Sequence, residues 1–279
     1  MKTIVITGVS TGIGKALAEV FCQNSYHVFG SVRRAEDAAD LGQAFPEYFT
    51  PLVFDVQDEE AIDEAVNIVE RRLAGGCLSG LINNAGIAIG GPLELQPLEE
   101  VQRHFNTNVM GVVRVIRAFL PLLGTRPECS SSPGRILNIS SVSGKLADPF
   151  VGAYAASKHA LEALTASWRQ ELKVYGIKMV LIGPGSVDTP IWEKGIHPEK
   201  YAGSPYSNSL QKAARMAASS GKEGWSPGFI AEKIYRIFHK KNPGRRYALV
   251  ANKTKKWTIR RLLPLSITEK VAAWLLGLK

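Results

Sequence analysis

Apolar residues along the chain fall into short, nearly unbroken runs separated by amphipathic stretches. TIVITG, YHVFGSV, FTPLVFDV, GLINNAG, GRILNISS and IKMVLIGPG open as Val-, Ile- and Leu-rich runs of strand length, most closing on glycine or another turn-forming residue. Between them VSTGIGKALAEVF, DEEAIDEAVNIVERRLAG, LEEVQRHFNTNVMGVVRVIRAFLPLL and YAASKHALEALTASWRQELKVYG carry the helical period. In the second of these helices the acids come early and the arginines late, the order a helix dipole favours. Strands that do not alternate polar with apolar are expected where both sheet faces are covered. The alternation over roughly the first 185 residues therefore predicts a doubly wound, three-layer α/β fold with a mostly parallel central sheet.

The rhythm breaks at about 186–228, where prolines and glycines crowd DTPIWEKGIHPEKYAGSPYSNS before a short helical stretch around LQKAARMAASS. A long excursion beyond the last strand reads as a substrate lid, or as a tolerated surface excursion. No repeat or composition shift marks a second domain, so residues 1–279 read as one domain ending in a basic, aromatic-containing extension at about 250–279.

Composition adds little until charge is located. The formal charge is +9, but ten Lys or Arg and no acid lie between Arg236 and Arg261, and the remainder of the chain is close to neutral. Basicity confined to a tail argues against a nucleic-acid-binding body. With Trp257, Trp274 and its leucines, that tail suits peripheral contact with an anionic membrane; packing on the body or across a subunit interface explains the leucines equally. The runs MVLIG and LLPLS fall well short of about 20 apolar residues, and no signal peptide is legible at MKTIVITG, so a cytoplasmic protein is expected. Cys22, Cys77 and Cys129 form neither an even set nor a CxxC pair and read as free thiols of a reducing compartment. The five histidines lack metal-ligand spacing; His104 and His159 read as packing or helix-surface residues.

Candidate chemistry begins at the first turn. Gly8, Gly12 and Gly14 lie between strand and helix, where absent side chains let a pyrophosphate reach the helix N-terminus. At the end of the second strand an NAD site usually places an acid. Here the residues are Arg33 and Arg34, which would pair with a 2′-phosphate. NADP(H) is accordingly the preferred cofactor, with Arg33 the first candidate for the phosphate and NAD(H) the less favoured cofactor. Thr11 supplies no second basic group there. Asp55 ends the third strand, where it can meet the adenine edge. Tyr154 and Lys158 are four residues apart in YAASK, a spacing that puts both on one helix face. A phenol has a reference pKa of about 10, and a neighbouring ammonium favours the phenolate, so a lowered phenol is expected for acid–base work.

Taken in order, TGxxxGxG from Thr7 to Gly14, Asp55, NNAG at Asn83 to Gly86, Asn108, the serine of NISSVSG, YxxxK and the Pro184-Gly185 pair followed by Thr189 resemble the short-chain dehydrogenase/reductase family over about residues 3 to 190. The likeness is to its steroid and retinol dehydrogenase-like branch and related bacterial oxidoreductases. It implies a Rossmann-type fold and an NAD(P)-dependent enzyme acting on CH–OH groups, with Tyr154 as acid/base and Lys158 binding the nicotinamide ribose. Ser141, with Ser140 the lesser candidate, would bind the substrate oxygen, and Asn108 would hold a relay water. It further implies nucleotide contacts from Gly8, Ser10, Thr11, Gly12, Ile13, Gly14, Arg33, Arg34, Asp55, Val56, Asn84, Ala85, Gly86, Asn108, Tyr154, Lys158, Pro184, Gly185, Val187 and Thr189. A homodimer or homotetramer is implied by the same likeness. Leu146, Phe150, Val151, Ile191 and Trp192 are candidate substrate contacts, with Tyr201, Tyr206 and Met216 in the lid. They suit a bulky lipophilic alcohol/carbonyl pair such as a steroid, retinoid or fatty carbonyl, or they close the core. A reductase of small polar carbonyls or quinones, and a non-catalytic NADP(H)-binding regulatory protein, are the alternatives.

Overall fold

The computed structural model describes residues 1–129, 132–191, 195–251, 254–259 and 262–278. Seven parallel strands form one sheet in the order β3-β2-β1-β4-β5-β6-β7. They are β1 (Lys2–Ile6), β2 (Tyr26–Val32), β3 (Phe49–Val53), β4 (Gly80–Asn83), β5 (Arg135–Ile139), β6 (Lys178–Pro184) and β7 (Arg246–Leu249). Alternate residues of each strand point to opposite faces. Ile4 and Ile6 enter one core layer, with Leu17, Phe21, Ile230 and Ile234. Val5 enters the other, with Ile62, Val115, Phe119 and Leu161. The first layer is supplied by α1 (Gly12–Gln23) and α8 (Pro227–Phe238), the second by α3 (Glu59–Leu73), α5 (Val112–Leu120) and α6 (Gly152–Glu171). Both faces of the central strands are covered, which is why β1, β4, β5 and β6 are mostly apolar, while the edge strands β3 and β7 are only partly buried.

Strand order reverses at β1, flanked by β2 on one side and β4 on the other. In open α/β sheets ligands bind in the crevice outside the strand carboxyl ends at such a switch point. The loops after β1, β4, β5 and β6 converge there.

Several elements depart from the sequence reading. The polar stretch after β2 holds α2 (Ala39–Ala44), and β7 and α8 follow the region expected to be irregular. The helix begun by α4 (Leu98–Phe105) runs on through a π-helical turn at Asn106–Gly111 into α5. The whole Leu98–Thr125 span is long and apolar enough, by length and composition, to cross a membrane. It is instead the core helix of the second layer, with Val112, Val115, Ile116 and Phe119 buried. The final helix, α9 (Leu265–Leu276), leans on α7 (Ser207–Lys222) through Leu276 and Leu210.

The expectation of three free thiols is corrected. Cys77 and Cys129, 52 residues apart, form a disulfide with Cα atoms 5.4 Å apart, and Cys22 is free and buried. Nothing in their spacing signals this; the bond needs two chain segments brought within a narrow separation, and here the connection into β4 meets that into β5. The pairing also removes the cysteine-based argument for a reducing compartment. Alkylation in denaturant without reductant is therefore expected to label one cysteine per chain, Cys22, and all three after reduction. Three labelled before reduction would contradict the pairing.

Candidate active site

The β1–α1 turn is shaped by close approaches that exclude side chains. Gly8 has φ +71°, and a Cβ on Gly14 would lie 2.0 Å from the Gly8 carbonyl oxygen. Asn84 holds the turn: its Nδ2 donates to the carbonyls of Thr7 and Gly8 at 3.0 and 2.9 Å. Thr7 Oγ1 in return accepts from the backbone N–H groups of Asn84 and Ala85, both at 3.0 Å. The first asparagine of NNAG works elsewhere: Asn83 donates to Asn138 at 2.8 Å, and Asn138 to Thr165 at 2.9 Å, tying β4, β5 and α6 together. These two motifs thus build the switch point as one unit.

Above it opens a cavity of about 610 Å³. Its wall contains Gly8, Ser10, Thr11, Gly12, Ile13, Arg33, Asp55, Val56, Asn84, Ala85, Gly86, Ser140, Ser141, Tyr154, Lys158, Pro184, Gly185, Val187, Thr189 and Ile191. Gly14 lies beneath the turn. Arg34 is not on the wall: it is exposed and pairs with the wall residue Asp37 at 2.8 Å and with Glu36 at 3.6 Å. Leu146, Phe150 and Val151 are not brought to the wall either. Phe150, at φ +67°, packs with Tyr201, Leu210 and Leu276 instead. Trp192 lies outside the described residues. The sequence reading missed Glu100, Arg103, Thr107 and His197 on the wall, since α4, the π-helical turn after it and the segment following β6 meet only in the folded chain.

At the inner end, Tyr154 and Lys158 are both buried on one face of α6. Lys158 Nζ donates to the Ile139 carbonyl at 3.0 Å. Ser141 caps a 3-10 turn, its Oγ accepting from the Ser143 N–H at 3.1 Å, and its side chain hydrogen-bonds to Tyr154. Ser140 is turned away, donating to Glu162 at 3.1 Å. Of the two serines, Ser140 thus pairs with Glu162 and Ser141 with Tyr154. Asn108 sits buried in the π-helical turn, a feature frequent at functional sites. Its Oδ1 accepts from the Ile87 N–H at 2.9 Å, and its Nδ2 donates to the Ile87 carbonyl and to Ser157 Oγ. Both polar groups of the Asn108 side chain thus have protein partners. His104 is a packing residue: its Nε2 accepts from the Ile89 N–H, which leaves the proton on Nδ1 for the Glu100 carbonyl. Among the described residues no cluster of metal-ligating side chains is present.

Residues 2–200 match the family model described as short chain dehydrogenase. The chain belongs to that family. It is an NAD(P)-dependent oxidoreductase of the alcohol–carbonyl pair. It is 36% identical over 276 residues to the NADPH-dependent 3-dehydrocapnine reductase of Ornithobacterium rhinotracheale, covering 97% of this chain and 96% of that one. To the 3-ketodihydrosphingosine reductase of Bacteroides thetaiotaomicron it is 32% identical over 244 residues, covering 87% and 85%. Its fold matches the crystal structure of a short-chain dehydrogenase from Streptomyces avermitilis with a TM-score of 0.79 at 28% identity, covering 98% and 95%.

The electrostatics of this dehydrogenase site differ from the expectation of a lowered phenol. Burial pushes the Tyr154 phenol up, and the hydrogen bond from Ser141 pulls the other way. The same burial pushes the Lys158 ammonium down from 10.5 to about 8. Desolvation penalises the charged form of each group. A phenol that stays protonated through neutral pH is a proton donor, which suits carbonyl reduction. The sign for Lys158 follows: its charge is present below about 8 and is lost above. The kcat/KM for reduction should be level up to about pH 7 and fall with unit slope above about 8. Lys158→Arg, whose charge persists, should lower the level and remove that break. A wild-type profile level to about pH 10 would contradict the assignment.

Proposed function

We propose that the protein is an NADPH-dependent reductase of bulky lipophilic ketones, with long-chain ketones the favoured class among fatty, steroid and retinoid carbonyls. The observation carrying this reading is convergence: Ser141, Tyr154 and Lys158 share one cavity with the glycine turn and Arg33. When bound, the nicotinamide supplies the hydride to the carbonyl carbon. The Tyr154 hydroxyl donates the proton to the carbonyl oxygen, and Ser141 hydrogen-bonds that oxygen as charge develops on it. Lys158 holds the nicotinamide ribose and favours the phenolate left behind. Asn108 fixes the loop after β4 against α6. Arg33, at the far end of the wall, pairs with the 2′-phosphate, while Arg34 occupies the nearby Asp37, reducing that acid's repulsion of the phosphate.

Two relatives whose names specify a ketone at the third carbon of a larger molecule support the substrate class, and one of those names specifies NADPH. The lid over residues 186–228 covers the substrate end, where Ile191 reaches the wall. Glu100, Arg103 and His197 on the same wall favour a second reading, a reductase of smaller polar carbonyls. We further propose a cytoplasmic homo-oligomer that touches membranes peripherally. The exposed Leu265, Val271, Trp274 and Leu275 of α9 support the contact, as does the basic stretch before them.

The test is nicotinamide oxidation over a panel of long-chain, steroid, retinoid and small polar ketones, with NADPH and NADH side by side and Tyr154→Phe as the comparison. The expected result is NADPH-preferring turnover of the lipophilic members, reduced at least about a hundredfold in Tyr154→Phe, with nucleotide affinity retained. Turnover confined to the small polar ketones would replace the substrate class. Undiminished turnover by Tyr154→Phe would overturn the mechanism.

A further inference from the structure

The stripe on α6 does not end at Lys158. One turn on, Glu162 occupies the same face as Tyr154 and Lys158, and its side chain is only 2% exposed. A carboxylate so buried demands partners, and it has four contacts. Ser140 Oγ donates at 3.1 Å. Arg246 Nε donates to Oε1 and Oε2 at 2.9 and 3.1 Å. Lys145 Nζ lies 3.2 Å from Oε2. The Arg246 guanidinium then reaches past the carboxylate, its Nη2 donating to the Ser141 carbonyl at 3.0 Å. Its other face stacks on the buried Trp257 ring, 4.7 Å from the centroid. Two glycines make the room: a Cβ on Gly144 would lie 2.6 Å from Glu162 Oε1, and one on Gly183 would lie 2.6 Å from Arg246 Nη2.

We propose that Glu162 and Arg246 are positioning residues for the catalytic serine, an assignment that rests on the reading of Ser141 and Tyr154 given above. The pair acts on both serines at once. Glu162 draws the Ser140 hydroxyl away from the substrate position, and Arg246 fixes the carbonyl of Ser141, so that Ser141 alone presents its hydroxyl to Tyr154. Neither charged side chain is on the cavity wall. Arg246 and Trp257 also lie beyond residues 2–200, so the C-terminal region contributes to the catalytic end of the site from outside the segment that carries the family match. A displacement of about 1 Å at a reacting group can cost about a hundredfold in rate, which makes the anchoring consequential without any contact to substrate.

The experiment compares Arg246→Met, Glu162→Gln and the double variant with wild type and Tyr154→Phe, using 3-ketodihydrosphingosine and NADPH. Each single variant should lose about 10- to 100-fold in kcat with NADPH affinity within about twofold of wild type. The double variant should lose no more than the worse single, because the two side chains act as one support. It leaves no unpaired buried charge, and so stands in if a single variant fails to fold. Crystal structures of wild type and the double variant give the second reading, independent of turnover. The Ser141 hydroxyl should move about 1 Å or more from its place beside Tyr154. A folded variant with wild-type kcat, an unmoved Ser141, or equal losses in NADPH affinity and kcat would overturn the positioning role. If Tyr154→Phe keeps full activity, it is the reading of the site that fails, and this inference falls with it.

Discussion

An ammonium group buried with no carboxylate partner among the described residues is the constraint around which this site is arranged. Lys158 has one described hydrogen bond, to a backbone carbonyl, and its Nζ lies 5.8 Å from the centroid of the Tyr154 ring. Burial alone brings its pKa to about 8, a preference of about 3 kcal/mol for the neutral amine over the ordinary lysine. Negative charge arriving nearby would relieve that cost, and in the mechanism proposed above it arises first on the substrate oxygen and then on the phenol. Glu162, only one helical turn away, is instead matched by Arg246 and Lys145. Its negative charge is thereby kept from neutralising Lys158 directly.

Holding such a group in place requires the surrounding backbone to be rigid, and the sequence spends its small and amide residues there. Asn84 locks the glycine turn, Asn83 and Asn138 bridge two strands to α6, and Asn108 joins the π-helical turn to the loop after β4. Each asparagine satisfies backbone or amide groups that would otherwise be buried unpaired. The cleft at the switch point is thus preorganised, with a polar floor and two titrating groups at its inner end.

Six of the seven strands and the principal helices before residue 185 were legible, because their periods differ and both sheet faces are buried. Tyr154, Lys158, Ser141 and the glycine turn were legible as motifs for a related reason: each depends on local spacing within one turn or helix. What escaped depends on distant segments meeting. β7 is four residues long and follows a basic stretch, so nothing local distinguishes it from a loop. Cys77 and Cys129 meet only because two connections lie side by side. Arg246 read as one of ten tail cations, yet it is an interior residue paired with Glu162. Phe150 read as a substrate contact from its place before Tyr154; with a left-handed backbone it packs on Tyr201, Leu210 and Leu276 instead. The lowered phenol was expected from a neighbouring charge, whereas desolvation, invisible in a linear pattern, sets the direction.

If the site works as proposed, one nucleotide spans the cavity from Arg33 to Lys158, and a crystal structure of the protein with NADP+ is the decisive measurement. The diphosphate is expected over the Gly12–Gly14 turn, the 2′-phosphate against Arg33, and the nicotinamide ribose within hydrogen-bond reach of Lys158 with the ring beside Tyr154. A nucleotide whose nicotinamide lies away from Tyr154 and Lys158, or whose 2′-phosphate leaves Arg33 unengaged, would contradict it.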